Sequence, residues 1–108
     1  MVFRTDGKTA LNEGFDAATI DAVWRKGTVV PGVDPSKRRK DSCGAWISRD
    51  QYGVTTDNGT GWEIDHILPV SRGGSDDLAN LQPLQWQNNR AKGDNFAGQW
   101  SCATSAKV

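Results

Sequence analysis

Apolar side chains occur in short, separated groups along this chain, and each group predicts one structural element. The first group repeats at intervals of three and four residues, which places its members on one face of a helix: Ile20, Val23 and Trp24. We expect this helix to cover residues 17–26, with Asp16 or Thr19 capping its start and Gly27 beyond its end. The first predicted element is therefore a short amphipathic helix.

The second half of the chain predicts two strands followed by a helix. Alternating apolar and polar residues after Gly61 indicate a strand that ends before Pro69. A glycine pair at 73–74 makes a flexible bend before a second strand or extended return, which is marked by Leu78, Leu81 and Leu84. Residues 86–92 then predict a helix of two turns that the next glycine stops.

The remaining segments have weaker patterns. Residues 43–47 indicate a short strand or extended segment, and residues 33–42 indicate a polar, cationic connection. Residues 1–14 lack apolar periodicity, so we expect them to fray. The tail over residues 95–108 is mostly small and polar. Short strands beside helices predict an α+β fold.

The composition describes one small domain that is rich in tryptophan. A chain of 108 residues supports one modest core. Its five tryptophans can supply much of the buried surface, and we expect Trp24, Trp46 and Trp62 to be buried. We therefore interpret residues 1–108 as a single domain.

Charge and cysteine content bear on the setting of the protein. The 13 basic residues balance the 13 acidic ones, so net charge gives no support for a nucleic-acid partner, although residues 37–40 read KRRK. No apolar run is long enough for a membrane span or a signal peptide, which favours a cytoplasmic location. Cys43 and Cys102 form no CxxC pair, and we expect buried thiols in a reducing compartment, with one disulfide as the alternative.

The only histidine, His66, directly follows Asp65 at the predicted end of a strand. Adjacent residues of a strand point to opposite faces, so the two serve one site only if the strand ends or bends there. A carboxylate beside an imidazole then suggests a metal ligand next to a general base. A partly exposed histidine beside a surface aspartate is the commoner outcome for such a pair.

Three asparagines near this pair add to the candidate chemistry: Asn80, Asn88 and Asn89. Asn80 could form a turn or a cap. The other two lie in the predicted last helix, where asparagine has a poor propensity. An amide oxygen pairs naturally with a carboxylate around a hard divalent cation. Simple exposure of both amides to solvent is the competing interpretation.

The stretch DHILPVSRGGSDDLANLQPLQWQNNRAKGD, residues 65–94, resembles the signature of HNH nucleases. In that signature a DH pair ends a strand and a loop with paired glycines follows. An N-L-Q segment then returns, and a helix brings Asn or His just before R/K-x-K-G. Order, spacing and the interleaved apolar positions agree from residue 62 to about 95. The resemblance implies a ββα-metal fold, two antiparallel strands and a helix around one ion, with its motif core at 61–94.

The resemblance also implies a role for each motif residue. His66 matches the general base that activates the attacking water. Asp65 matches the metal-binding carboxylate, and Asn89 matches a second metal ligand, although a slip of one residue would exchange it with Asn88. Asn80 matches the central asparagine, whose side chain ties the loop back and helps to hold the histidine.

The chain departs from many of these relatives because it lacks the two CxxC pairs that bind a structural zinc. The corresponding downstream positions are Gln85 and Asn88. We therefore expect no structural zinc, so that packing around the tryptophans must hold the motif. Asparagine at the last motif position leaves mainly oxygen ligands, which favours Mg²⁺ or Mn²⁺ as the cofactor.

The function implied by the resemblance is a metal-dependent endonuclease that hydrolyses phosphodiester bonds of DNA and cuts or nicks the duplex. Six cations are candidate DNA contacts, with simple solvation as the alternative: Lys37, Arg38, Arg39, Lys40, Arg90 and Lys92. A non-catalytic DNA-binding module on the same scaffold and a delivered toxin nuclease domain stay open as other functions. The small relatives imply phage packaging or other DNA-processing proteins as partners, and no membrane contact.

Overall fold

A computed structural model of the chain describes residues 6–11, 13–56 and 59–106. Within these residues it contains two helices, α1 (Ala17–Trp24) and α2 (Trp86–Lys92). It also contains four strands there: β1 (Arg38–Lys40), β2 (Trp46–Ser48), β3 (Trp62–His66) and β4 (Leu81–Gln85). β1 pairs with β2, and β3 pairs with β4, in two separate antiparallel sheets. The α+β fold predicted from the sequence is confirmed.

Helix α1 forms where the apolar spacing predicts it. The Asp16 carboxylate caps its start by accepting a hydrogen bond from the Thr19 amide at 2.8 Å. Hydrogen bonding from the Thr19 side chain and from this amide lowers the pKa of Asp16. Val23 and Trp24 are buried, and Ile20 packs against them. The helix ends at Trp24, two residues earlier than predicted.

The core lies between α1 and the β3–β4 hairpin. Its buried side chains are Val23, Trp24, Ile47, Trp62, Ile64 and Leu81. The ring centroids of Trp24 and Trp62 are 5.3 Å apart, and the Tyr52 ring packs edge-on against Trp62 at 4.9 Å. Two of the three tryptophans predicted to be buried therefore carry the core, because their large rings cover both the helix and the hairpin.

The prediction that residues 33–42 only connect other elements is wrong, because Arg38–Lys40 form β1. The Arg38 guanidinium carbon lies 4.4 Å, and the Lys40 ammonium 4.9 Å, from the ring centroid of Trp46 on β2. Trp46 is therefore half-buried under two cations rather than buried as predicted. This strand has no apolar alternation that would predict it, because its charged side chains pack on the face of an aromatic ring rather than in the core.

The β3–β4–α2 unit is continuous, since α2 begins at the residue after β4. β3 and β4 pair along their whole lengths. Their connection, residues 67–80, contains two single turns of 3₁₀ helix. Gly74 is required there because a Cβ at this position would lie 1.7 Å from the Leu68 carbonyl oxygen. The helix predicted over 86–92 is confirmed to the residue.

A disulfide joins Cys43 to Cys102, so the expectation of free thiols is wrong. The two cysteines meet because the tail returns along the segment after β1, where the Ala106 amide donates to the Gly44 carbonyl at 2.9 Å. The cytoplasmic location remains a prediction, without the support of free thiols, since disulfides are rare in reducing compartments. No helix in the described parts of the chain is long and apolar enough to cross a membrane.

The expected fraying of residues 1–14 concerns a segment of which residues 1–5 and Asn12 lie outside the described ones. The described part, residues 6–11, contacts α2 and the loop between β3 and β4. The Asp6 carboxylate lies 3.1 Å from the Arg90 guanidinium, and the Ala10 amide donates to the Asp76 carboxylate at 2.9 Å. These contacts bring the segment beside the motif residues.

The buried carboxylate of Asp41 joins three parts of the domain. Oδ1 accepts from the amides of Cys43 and Ala45 at 2.9 and 2.8 Å. Oδ2 accepts from the Gln85 amide at 2.9 Å and from Asn88 Nδ2 at 3.0 Å. The sequence resemblance matches Gln85 and Asn88 to zinc-binding cysteines of HNH nucleases. We call these three residues, Asp41, Gln85 and Asn88, the Asp41 cluster.

Replacement of Asp41 by Asn tests this cluster. An amide oxygen can keep only the donors on one side, because the NH₂ group itself donates and faces two N–H groups. We expect the free energy of unfolding to fall by about 3 kcal/mol, since a buried donor without a partner costs about 1–3 kcal/mol. Urea titration measures it, with Asp50→Asn as the exposed control. Equal midpoints for the two variants would show that the cluster is dispensable.

Candidate active site

Three polar side chains of β3 are buried: Glu63, Asp65 and His66. Glu63 and Asp65 are two residues apart, so they share the face of the strand on which α2 supplies their partners. His66 is adjacent to Asp65 and points to the other face, at the last position of the strand. The site therefore has a carboxylate side and an imidazole side.

The Asp65 carboxylate has two partners. Its Oδ1 lies 3.2 Å from the Lys92 ammonium, and Gln82 Nε2 donates to its Oδ2 at 2.9 Å. Burial raises the pKa of Asp65, and the Gln82 hydrogen bond and the Lys92 charge act against this rise. A nearby cation stabilises a buried carboxylate because it replaces the water that the carboxylate has lost. Asp65 is therefore a chemically reasonable candidate for a metal ligand.

Lys92 supplies the cation beside Asp65 in this structure. Its side chain is only 1% exposed, and its Nζ also donates to the His66 carbonyl at 2.8 Å. The sequence assigned Lys92 to the DNA contacts, but its ammonium lies inside the site rather than on the surface. It therefore places one positive charge between the carboxylate side and the end of β3.

The adjacent asparagines of α2 have different partners. Asn88 is fully buried, and its Oδ1 accepts from the amides of Ala103 and Thr104 at 2.8 and 2.9 Å. Its Nδ2 donates to Asp41 and to the Thr104 carbonyl. Both ends of this amide are thus engaged in holding the tail on the domain.

Asn89 faces β3 instead. Its Nδ2 donates to Glu63 Oε1 at 3.1 Å. Because a carboxylate only accepts hydrogen bonds, this contact fixes the NH₂ end of the amide and leaves Oδ1 as the end that can bind a cation. Two guanidinium nitrogens of Arg90 hold the same Glu63 carboxylate. The structure thus brings Asp65 and Asn89 to one side of β3.

The donor set restricts the kind of metal site. No group of three or more His, Cys, Asp or Glu side chains in the described parts of the chain could hold a metal ion. A site here depends on the Asp65 carboxylate and a neutral amide, for which Asn89 Oδ1 is oriented. Few protein ligands and several waters are what Mg²⁺ accepts. Two oxygen donors on one side of β3 are compatible in kind with a hard divalent cation.

The imidazole side consists of His66 and a loop carboxylate. His66 Nε2 lies 2.7 Å from Asp76 Oδ1, and Nδ1 is buried without a hydrogen-bond partner among the described residues. The Phe15 ring packs at 6.0 Å between centroids. The sequence did not single out Asp76. The acidic pair at 76–77 was visible, but nothing in it shows which loop residue reaches the histidine.

Asn80 closes the loop that carries Asp76. Its Oδ1 accepts from the Leu68 amide at 2.8 Å, and its Nδ2 donates to the carbonyls of Leu68 and Ser75 at 3.1 and 2.9 Å. These bonds tie the loop back, as the resemblance implied for this position. Its contribution to catalysis stays a prediction.

The predicted DNA contacts lie in different environments. Lys37 and Arg38 are exposed, and Lys40 is half-buried over an indole ring. The Arg39 guanidinium group donates to three backbone carbonyls of the residues before β1. Arg90 is paired with two acidic side chains. Arg39 and Arg90 therefore have structural partners that a DNA phosphate would have to displace.

Comparison with known proteins identifies the family of this unit. Residues 49–95 match the family model described as HNH endonuclease. The match contains β3, β4 and α2 and every motif residue from Asp65 to Lys92. No curated protein and no solved structure matches the chain. Residues 49–95 are thus similar to HNH endonucleases, a class of nuclease that acts on nucleic acid, and the resemblance seen in the sequence is confirmed over this segment.

Replacement of Lys92 by Met tests the buried ion pair. It leaves the Asp65 carboxylate without its cation, and breaking a buried pair costs about 3–5 kcal/mol. The pKa of Asp65 is already raised, so the folded state takes up this proton at a higher pH than the unfolded chain. The loss in stability should therefore shrink as the pH falls.

Chemical unfolding of Lys92→Met at neutral and acidic pH checks this expectation, with Lys37→Met as the exposed control. Subtracting the control removes the titration of all other groups. A stability loss that does not change with pH would contradict the pairing.

Proposed function

We propose that this protein is a metal-dependent endonuclease that hydrolyses phosphodiester bonds of duplex DNA by cutting or nicking. One arrangement carries the proposal. The Asp65 carboxylate and the oriented amide of Asn89 lie on one side of β3, and an imidazole with an unpartnered Nδ1 lies at the strand end. The match of this segment to HNH endonucleases supports the same reading.

Asp65 and Asn89 Oδ1 would hold one divalent cation, Mg²⁺ or Mn²⁺. When bound, the cation supplies charge that neutralises a non-bridging phosphate oxygen and stabilises the leaving 3′ oxygen. Since the Lys92 ammonium now lies beside Asp65 Oδ1, we expect it to part from this oxygen when the cation binds. Its bond to the His66 carbonyl keeps it at the strand end.

His66 acts as the general base in this proposal. Its Nδ1 has no hydrogen-bond partner among the described residues, so its lone pair can take the proton of the attacking water once that water reaches the buried nitrogen. Because the site is buried, a hydrogen bond between that water and Nδ1 is stronger there than in bulk solvent. Asn80 acts indirectly, because it holds the loop that faces the imidazole.

The cations on and beside β1 offer a surface for the DNA backbone. Lys37, Arg38 and Lys40 lie on or beside β1, and two of them flank the Trp46 ring. Cations on one surface bind phosphates without reading sequence. We therefore propose binding with little sequence selectivity. Phage packaging proteins as partners and a cytoplasmic location remain predictions from the sequence.

A non-catalytic DNA-binding module is the second candidate. The observation that favours it is the burial of His66, whose side chain is 1% exposed. Under this alternative the polar groups around β3 serve only the fold. DNA binding that is insensitive to EDTA, without any cleavage, would support it over the nuclease.

Plasmid cleavage with a panel of divalent metals tests the proposal. We expect nicking with Mg²⁺ or Mn²⁺, loss with EDTA, and a rate lower by about a hundredfold or more in His66→Ala, because a general base contributes roughly 10²–10⁴-fold. Asp65→Asn and Asn89→Ala should lower the cleavage rate at a given metal concentration to a similar extent, because each removes a proposed metal ligand. Cleavage by His66→Ala at the wild-type rate would exclude His66 as the base.

The neighbouring asparagine supplies the matched control. Asn88→Ala removes bonds to the tail and to Asp41, so it should lower stability while the rate per folded molecule stays at the wild-type level. Asn89→Ala should instead lower the cleavage rate per folded molecule and leave the stability close to that of the wild type. If the two variants exchange these outcomes, Asn88 rather than Asn89 is the ligand.

A further inference from the structure

We propose that Asp76 is a positioning residue that fixes the tautomer of His66 and thereby decides which ring nitrogen acts as the base. The catalytic meaning of this inference rests on the proposed function, whereas the tautomer itself does not. Asp76 lies in the loop between β3 and β4, outside the motif positions that carry assigned roles.

The contact between the two side chains sets the tautomer. Asp76 Oδ1 lies 2.7 Å from His66 Nε2, and an ionised carboxylate can only accept a hydrogen bond. Nε2 must therefore carry the hydrogen, and in the neutral ring Nδ1 then has the lone pair. Nδ1 is the nitrogen without a partner among the described residues. The same ring thus presents a held donor and a free acceptor.

The loop holds the Asp76 carboxylate from both sides. Before it, the Ser75 carbonyl accepts from Asn80 Nδ2 at 2.9 Å, which fixes the chain next to Asp76. Across from it, the Ala10 amide donates to Oδ1 and Oδ2 at 2.9 and 3.1 Å. The carboxylate is 38% exposed, while the imidazole is almost fully covered. Its direction is therefore set by these bonds rather than by burial.

The single histidine of the chain makes the tautomer directly measurable. With ¹⁵N-labelled histidine, long-range proton–nitrogen spectra at a pH where the ring is neutral report which nitrogen carries the hydrogen. We expect Nε2–H in the wild type and a mixture of tautomers in Asp76→Ala. Asp77→Ala, which removes the neighbouring carboxylate, should keep the wild-type spectrum.

Cleavage kinetics complete the test. Asp76→Ala should lower kcat about tenfold or more with little change in KM, because the substrate does not bind this carboxylate. An Nδ1–H tautomer in the wild type, or an unchanged tautomer in Asp76→Ala, would overturn the proposal. If the spectra are as expected but the wild type cleaves no DNA, the nuclease proposal fails while the positioning of the ring stands.

Discussion

The hydrogen-bonded carboxylate of Asp41 is the constraint on which the rest of the domain depends. It accepts four N–H groups from the segment after β1, from the end of β4 and from α2. The resemblance to HNH nucleases matches Gln85 and Asn88 to positions that bind zinc in many members of that family. A buried anion with four donors can replace a metal as a cross-link because every partner lowers its desolvation cost. Asn88 extends this cross-link to the tail, beside the Cys43–Cys102 disulfide.

With that end fixed, the ion pair between Asp65 and Lys92 sets the register of α2 on β3. Asn89 lies one helical turn before Lys92, and Glu63 lies two residues before Asp65. Lys92 therefore contacts Asp65, and Asn89 contacts Glu63, across the same interface between α2 and β3. The interface that buries Lys92 therefore also orients the Asn89 amide, through its bond to Glu63. Stability and the geometry of the candidate site arise from one interface.

The ββα unit was predictable because its signals are local. Strand alternation before Pro69, the glycine pair and the helix over 86–92 each depend on neighbouring residues. The misses depend on partners distant in sequence. Arg38–Lys40 becomes a strand only against Trp46, and Cys43 meets Cys102 only because the tail returns. Lys92 and Asp76 are residue types that usually lie on the surface. Only tertiary contacts make Lys92 the buried counter-ion of Asp65 and Asp76 the partner of His66.

Under the proposed function, adjacent residues with opposite directions must serve one reaction, and the end of β3 makes this feasible. Along the strand Asp65 and His66 face away from each other, but beyond His66 the chain leaves the sheet. A phosphate that approached along the strand axis would then come near the carboxylate side and the imidazole side together. The Lys92 ammonium lies at this end, bonded to Asp65 and to the His66 carbonyl. Approach across either face is less favourable, because α2 supplies the partners on one face and Phe15 and the Asp76 loop cover the other.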